Sequence, residues 1–427
     1  MRKRFASLVA LMLALMLVLT ACGSKTDAPA AASTPAANKG PVTITFWVLD
    51  SFTKDPNGPL FKAIDQFQQA NANIKVEVQP MAANAIHDKL VTSINGGEGP
   101  DVFNTDLAWM GEFAGMGLMQ DITAQVSPIK GDYFDGPMAA MQYNNKFYAV
   151  PWYTNNVAVY YNKDAFAKAG ITQFPQTWDQ FTDAAKKLKA AGYYALSAAH
   201  GGFGTYFLMS FIFQNQGQVY SADGKKLTLD NPAVVDAFKW YTGLYTDLKA
   251  MPESVKSAFS WDEVYAPFIQ GKAAMFIGGD WAKGTIDKNA PNIKYDIAML
   301  PKGKVNATVA GGYNLAIGKN SKNADAAWKL IQFLTGKDGE AMMEAYGRIP
   351  ARKDVTNSDW AKKDPFAGLF IQQAQYGVPQ PAYPSWPKVS DVIGEAFDAV
   401  IQGQKSPEQA LKDAQAKAQP IVDSTNK

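Results

Sequence analysis

The chain has 427 residues, 41 of them basic and 39 acidic, a net charge of +2, and a single cysteine. A balance so close to neutral argues against a nucleic-acid surface, which needs a concentrated positive face. One thiol excludes internal disulfides and a cysteine-rich zinc cluster.

The first element is a leader. Arg2-Lys3-Arg4 precede an unbroken apolar stretch, Leu8 to Leu19, which ends in Thr20-Ala21-Cys22. A basic start, a short greasy segment and small residues before the cut make a secretory signal. The stretch falls short of the roughly 18 residues a spanning helix requires. Leu19-Thr20-Ala21-Cys22 resembles the bacterial lipobox, which implies cleavage of 1–21 and lipid on Cys22; the alternative is an ordinary leader with an incidental cysteine. Cleavage removes three basic residues and no acid, so the 41 basic residues become 38 against 39 acidic. Residues 23–40 are Ala, Pro, Ser, Thr, Asn and Lys with little else. They hold too little apolar surface to repay ordering, and a tether is expected at 22–40.

The remainder exceeds the size at which one core stops growing, about 250–300 residues, so two lobes are expected. Val42, Ile44, Phe46 and Val48 alternate with Thr43, Thr45 and Trp47, the period of a strand. Turn residues Asp55 to Pro59 follow, then a helical pattern through Phe61, Ile64 and Phe67, then a strand at Ile74, Val76 and Val78. Strand, helix, strand predicts a parallel α/β sheet. Ile86, Leu90 and Ile94 mark another helix, and Asp101-Val102-Phe103 a short buried strand. Thr177 with Gln180 fits a capping box ahead of Phe181, Ala184 and Leu188, and Gly192 stops that helix. Asn231-Pro232 and Ser406-Pro407 place a cap and a first-turn proline at two more helix starts. The segment 321–420 reads as mostly helical, with a Pro- and aromatic-rich break at 378–387.

Catalytic signatures are scarce. Of the two histidines, His87 is expected to be a surface or rim residue, and a hydrolytic triad on His200 would need a nucleophile elbow; Gly-x-Ser-x-Gly, His-Glu-x-x-His and the phosphate-binding glycine loop are all missing. Gly201-Gly202-Phe203-Gly204 reads as a glycine-rich turn. Paired carboxylates for glycoside hydrolysis stay open, because such partners meet only in space. No cofactor and no metal are expected.

Ten tryptophans are the second informative feature. Trp47 falls at the C-terminal end of the first strand, where open α/β sheets bind ligands. Trp152 and Tyr153 follow Val150-Pro151 at an expected crossing between lobes. Trp281 follows the glycine turn Gly278-Gly279-Asp280, and Trp261 and Trp386 stand in polar, turn-like settings. Flat rings beside carboxylates and amides suit a pyranose, whose C–H face packs on an aromatic while its hydroxyls take in-plane partners. Asp50, Asn104, Asp106, Asn155, Asp280 and Arg348 could supply those partners.

Asn145-Lys146-Phe147-Tyr148-Ala149-Val150-Pro151 leads into Tyr160-Tyr161-Asn162-Lys163-Asp164-Ala165-Phe166, then Ala169-Gly170-Ile171 and Pro175-Gln176-Thr177-Trp178-Asp179. With Gly278-Gly279-Asp280-Trp281, Ala310-Gly311-Gly312-Tyr313 and Gly347-Arg348-Ile349-Pro350, this ordered set resembles the extracellular sugar-binding proteins of ABC importers, the family of maltose-binding proteins. The resemblance implies an α/β, two-lobed periplasmic-binding-protein-like fold with a ligand cleft between lobes. One lobe would be 41–153 plus 314–363, the other 154–313 plus 364–427. Trp281 matches a family stacking position and Trp386 a second one. Asn104 to Asp106 fall where polar ligand contacts lie, Asn155 where some relatives carry an acid, and Gly312 and Tyr313 where hinge and ligand contacts overlap.

The expected function is capture of a sugar or oligosaccharide by interlobe closure and delivery to an ABC transporter permease. The protein would be a monomer, no enzyme, held by lipid on Cys22 at the extracytoplasmic face of the cell membrane. A lipid-anchored glycoside hydrolase, or a binding protein for a polyamine or peptide, are the alternatives.

Overall fold

A computed structural model describes residues 40–83, 85–258, 260–356 and 359–425. The leader, Cys22 and the tether lie outside the described residues, Gly40 apart. The first sheet begins with β1 (Val42–Leu49), paired in parallel with β2 (Ile74–Met81) and β3 (Val102–Asp106). The helix Pro59–Ala70 makes the crossover, entered through a turn in which the Asp55 carbonyl accepts from the Gly58 amide at 2.9 Å. Leu60, Ala63, Ile64 and Phe67 form its buried stripe. The strand–helix–strand rhythm predicted from the apolar spacing is therefore present, as is the helix Ile86–Asn95 with Ile86, Leu90 and Ile94 inward.

A small hairpin, β4 (Gln142–Tyr143) and β5 (Lys146–Phe147), turns through Asn144 and Asn145, both at positive φ. Then β6 (Ala149–Asn156) joins the first sheet and β7 (Ala158–Asn162) opens the second. The second sheet also holds β8 (Tyr194–Ser197), β9 (Ala273–Gly278) and β10 (Tyr295–Ala298), in the order β10-β7-β9-β8. The long strand β11 (Thr308–Ile317) returns to the first sheet between β6 and β3, antiparallel to both. Two short strands, β12 (Ile349–Pro350) on β6 and β13 (Gly377–Pro379) on β11, complete it.

Each sheet has its own apolar core. One gathers residues between Ile44 and Tyr153 with others between Leu315 and Ala351; the second runs from Val157 to Val309 and from Phe370 to Val422, with Ile349 added.

The helix caps follow the sequence closely. Thr177 accepts from the Gln180 amide, Asn231 from Ala233 and Ser406 from Gln409. The capping box is shifted by one residue, since the Gln180 side chain accepts from Gln176 rather than from the cap amide. Gly192, at φ 91°, ends the helix Trp178–Ala190 with its amide on the Lys189 carbonyl.

The glycine-rich turn expected at 201–204 is instead the first turn of a helix, Gly201–Gln214. Its glycines serve close packing. A Cβ at Gly202 would fall 2.3 Å from the Asp391 carboxylate, and one at Gly394 would fall 2.1 Å from the Gly201 backbone. The helix Trp386–Ile401 can approach only because neither position carries a side chain. Trp261 and Trp386, expected in turns, each open a helix, Trp261–Ile269 and Trp386–Ile401.

Candidate functional site

A cavity of about 480 Å³ lies where the two sheets face each other. β3 and the turn after β1 bring Asp106, Ser51 and Lys54 to one wall, and Arg348 joins them from the turn before β12. The paired strands β6 and β11 form the floor with Tyr153, Asn155, Gly312 and Tyr313. The second sheet and its helices supply the opposite wall, Tyr206, Trp261, Tyr265 and Trp281.

Glycines shape this floor and wall. A Cβ at Gly279 would fall 1.9 Å from the Trp281 ring, so glycine lets the indole fold back across its own turn. The Tyr160 hydroxyl donates to the Gly279 carbonyl at 2.8 Å and holds that turn. A Cβ at Gly311 would fall 2.5 Å from Asn155 Oδ1, which the Tyr206 hydroxyl reaches at 3.0 Å.

The aromatic groups are mutually braced. Trp281 meets Trp261 edge-on at 4.9 Å, and Trp261 stacks on Tyr265 at 5.9 Å. Tyr153 and Tyr313 stack at 5.5 Å with 23° between planes, and the Arg348 guanidinium stands 5.7 Å from the Tyr153 ring centre. Such rings present fixed faces and lose little side-chain freedom when something settles on them.

Two carboxylates give the site its electrostatics. Burial pushes the Asp106 carboxyl up to about 6, against the Ala108 amide that donates to it at 2.8 Å. Burial likewise pushes Asp280 up to about 6, opposed by Arg348, whose Nη1 is 3.7 Å from Asp280 Oδ1. Neither Asp280 oxygen makes a hydrogen bond, and Arg348 Nε also has none.

Of the residues singled out in the sequence, Asp106, Tyr153, Asn155, Trp261, Trp281, Gly312, Tyr313 and Arg348 line the cavity together. Asp280 sits just behind them, lining a smaller hollow that shares Trp281 and Arg348. Trp386 is 1% exposed, donates its indole N–H to Gln380 at 3.2 Å, and lines an adjoining cavity of about 510 Å³. The two cavities share Asp106, Tyr206 and Gln380, so they form one elongated cleft.

Four other residues are not brought to it. Trp47 is buried in the first core with the Lys89 ammonium 5.1 Å from its ring, because a strand flanked by parallel neighbours is covered on both faces. Trp152 is fully buried against Phe46 and Phe52. It is the residue left unpaired where the β6–β11 register shifts, and it points into the core while Tyr153 takes the cavity side. Asp50 is exposed in the short turn Asp50–Phe52, which presents Ser51 instead. Asn104 is fully buried in β3, with both side-chain polar atoms unpaired.

Sequence reasoning missed Tyr206, Gln380 and Tyr265. Tyr206 was hidden by reading its helix start as a turn, and nothing local marks Gln380. His87 lies on the wall of the adjoining cavity, bonded to Glu112 at 2.8 Å, and His200 contacts Asp398 at 3.2 Å. Among the described residues no cluster of three or more His, Cys, Asp or Glu could hold a metal ion, and no helix is long and apolar enough to cross a membrane.

The sequence profile of the bacterial extracellular solute-binding proteins matches residues 55–341. A diacetylchitobiose-binding protein of Streptomyces coelicolor is 27% identical over 413 residues, 93% of this chain and 94% of that protein. Among solved structures, an ABC-transporter solute-binding protein of Thermotoga lettingae, bound to α-D-tagatose, superposes with a TM-score of 0.79 at 29% identity. That match covers 89% of this chain and 99% of the other. A maltose-bound protein of T. maritima matches with a TM-score of 0.75 at 28% identity, over 88% and 98% of the two chains.

Proposed function

Because this chain belongs to the bacterial extracellular solute-binding proteins and has their two-lobed α/β fold, we propose that it captures a sugar or oligosaccharide by closing its lobes and hands it to an ABC transporter permease. The observation that carries this reading is the composition of the cleft. Trp261 and Trp281 come from one core, and Asp106 and Arg348 from the side of the other. A saccharide ring laid on Trp281 would offer its hydroxyls to Asp106, Asn155 and Arg348. A hydrogen bond to a charged group contributes about 1.5–3 kcal/mol, so a few of them with one stacking face reach micromolar affinity.

Ligand contacts drawn from both walls favour the closed state, and closure follows from that difference in affinity. The lobes in this reading are 41–153 plus 314–363 and 154–313 plus 364–427, a division supported by the two separate cores. The ligand residues are those gathered at the cavity, with Asp280 behind Arg348 and Trp386 at the adjoining compartment. Lipid on Cys22 and the tether at 22–40 keep the monomer near its permease at the extracytoplasmic face of the membrane.

Titration of mono- and oligosaccharides, followed by tryptophan emission and thermal shift, tests the proposal. Saturable binding of at least one saccharide without release of new reducing ends is expected. Turnover of the saccharide would make the protein a hydrolase, and silence across the panel would favour a polyamine or peptide.

A further inference from the structure

The cleft has more room than one sugar ring on Trp281 would fill. Its second compartment, about 510 Å³, opens past Asp106, Tyr206 and Gln380 and matches the first, about 480 Å³, in size. A single site for a drug-sized ligand generally measures about 300–1,000 Å³. Two such compartments in a row suit a ligand built of linked units.

One short turn furnishes a wall of the second compartment. The Asp106 carboxylate caps Leu107–Trp109 by accepting from the Ala108 amide at 2.8 Å, which sets the Trp109 indole one turn beyond the carboxylate. Asp106 lines both compartments, whereas Trp109 lines only the second. The indole is half-buried and packs on the first core, with the His87 ring edge-on at 5.0 Å and the Phe113 ring tilted at 5.9 Å. Ring contacts of this kind hold Trp281 in the first compartment too.

Polar partners stand beside it. Glu112 also lines the compartment, and its Oε2 bonds His87 Nε2 at 2.8 Å, while His87 Nδ1 bonds Asp88 at 2.8 Å. A carboxylate offers about four acceptor positions, so a single imidazole leaves Glu112 able to take a ligand hydroxyl. Phe203 and Trp386 face Trp109 from the side of the second core, and Ser390 lines the compartment from the helix Trp386–Ile401.

We propose that this compartment is a second ring subsite with Trp109 as its stacking face, so that the ligand is a saccharide of two or more units. One ring lies on Trp281, the linkage passes Asp106, and the next ring lies against Trp109 with a hydroxyl on Glu112. The assignment rests on the capture reading above and adds to it the length of the cargo and the residue that senses that length.

The test titrates matched mono- and disaccharides into the protein by calorimetry, which does not depend on the emission of Trp109. The pairs are glucose with maltose and with cellobiose, and N-acetylglucosamine with its β-1,4 dimer. At least one disaccharide is expected to bind at least about tenfold more tightly than its monosaccharide. Trp109→Ala is expected to remove that advantage and to leave monosaccharide affinity within about twofold of the parent. Ser390→Trp grows an indole into the compartment from the helix Trp386–Ile401, altering none of the rings that Trp109 packs on, and is expected to produce the same selective loss.

Equal affinity for the two lengths in the parent overturns the proposal and leaves capture on Trp281 standing. So does an advantage that survives in both folded variants, or a loss that falls on both lengths alike. Silence for every pair overturns the capture reading and this assignment together.

Discussion

Arg348 Nη1 stands 3.7 Å from Asp280 Oδ1, both of them largely buried. Arg348 precedes β12, which pairs with β6 in the first sheet, and Asp280 follows β9 of the second. The pair is therefore an electrostatic contact between a turn beside the first sheet and one beside the second, at the wall of the cleft. It is long for an ion pair and leaves both Asp280 oxygens without a hydrogen bond.

Stability should depend on pH through these carboxyls. Asp106 and Asp280 are both raised to about 6 by burial. A raised carboxyl means that the folded chain holds its proton to higher pH than the unfolded one. The associated stability is complete below about pH 4 and lost as pH rises through about 6. Carboxyls held low, such as Asp121 at about 2, titrate below that window. The unliganded protein is expected to melt at a lower temperature at pH 7.5 than at pH 5. Asp106→Asn should flatten the slope by an amount on the order of 1–2 kcal/mol. Calorimetry at the two pH values checks this, and equal melting of parent and variant across the range contradicts it.

Asp106 should also set the pH dependence of binding. A saccharide hydroxyl that donates to the ionised carboxylate lowers its pKa, so affinity is expected to rise between pH 5 and 7 and then level off. Asp106→Asn should bind about tenfold more weakly at pH 7.5 and lose the slope. Isothermal titration at several pH values reads both effects.

Trp281→Ala is expected to cost at least about tenfold in affinity, the loss of one stacking face. The indole is only half buried, so the melting temperature of the unliganded variant should stay within about 2 °C of the parent. Parent-like affinity would remove Trp281 from the ligand site.

Glu340 offers a test remote from the cleft. It is fully buried, its Oε2 accepts from the Arg352 amide at 2.7 Å and its Oε1 is unpaired. Burial pushes its carboxyl well above the usual range, so the folded state favours the neutral acid. Glu340→Gln keeps the acceptor and removes the titration. The variant is expected to match the parent at pH 5 and to be the more stable of the two at alkaline pH, where only the parent carries a buried charge. Chemical denaturation at both pH values measures the difference.

Much of the architecture was legible because its signals are local. The period of two at β1, the turn at Asp55–Gly58, and the caps at Thr177, Asn231 and Ser406 each depend on a few adjacent residues. Trp281 could be placed because the glycines before it mark a turn that an indole can overlie. Trp47 and Trp152 misled because a strand end facing a cleft and one facing the opposite layer of the same sheet carry the same pattern; only the packed helices decide. Tyr206 and Gln380 reach the site from helix and loop positions set by contacts many residues apart. The glycines at 201–204 looked like a turn, since their purpose, the approach of the helix Trp386–Ile401, lies nearly two hundred residues away.

The most direct test is a crystal structure of the protein with the tightest-binding saccharide of the panel. A sugar ring lying flat on Trp281, bonded to Asp106 and Arg348 from the facing wall, with the lobes drawn together, is the predicted result. A saccharide held elsewhere on the surface, with the cleft empty and the lobes unmoved, would contradict the account.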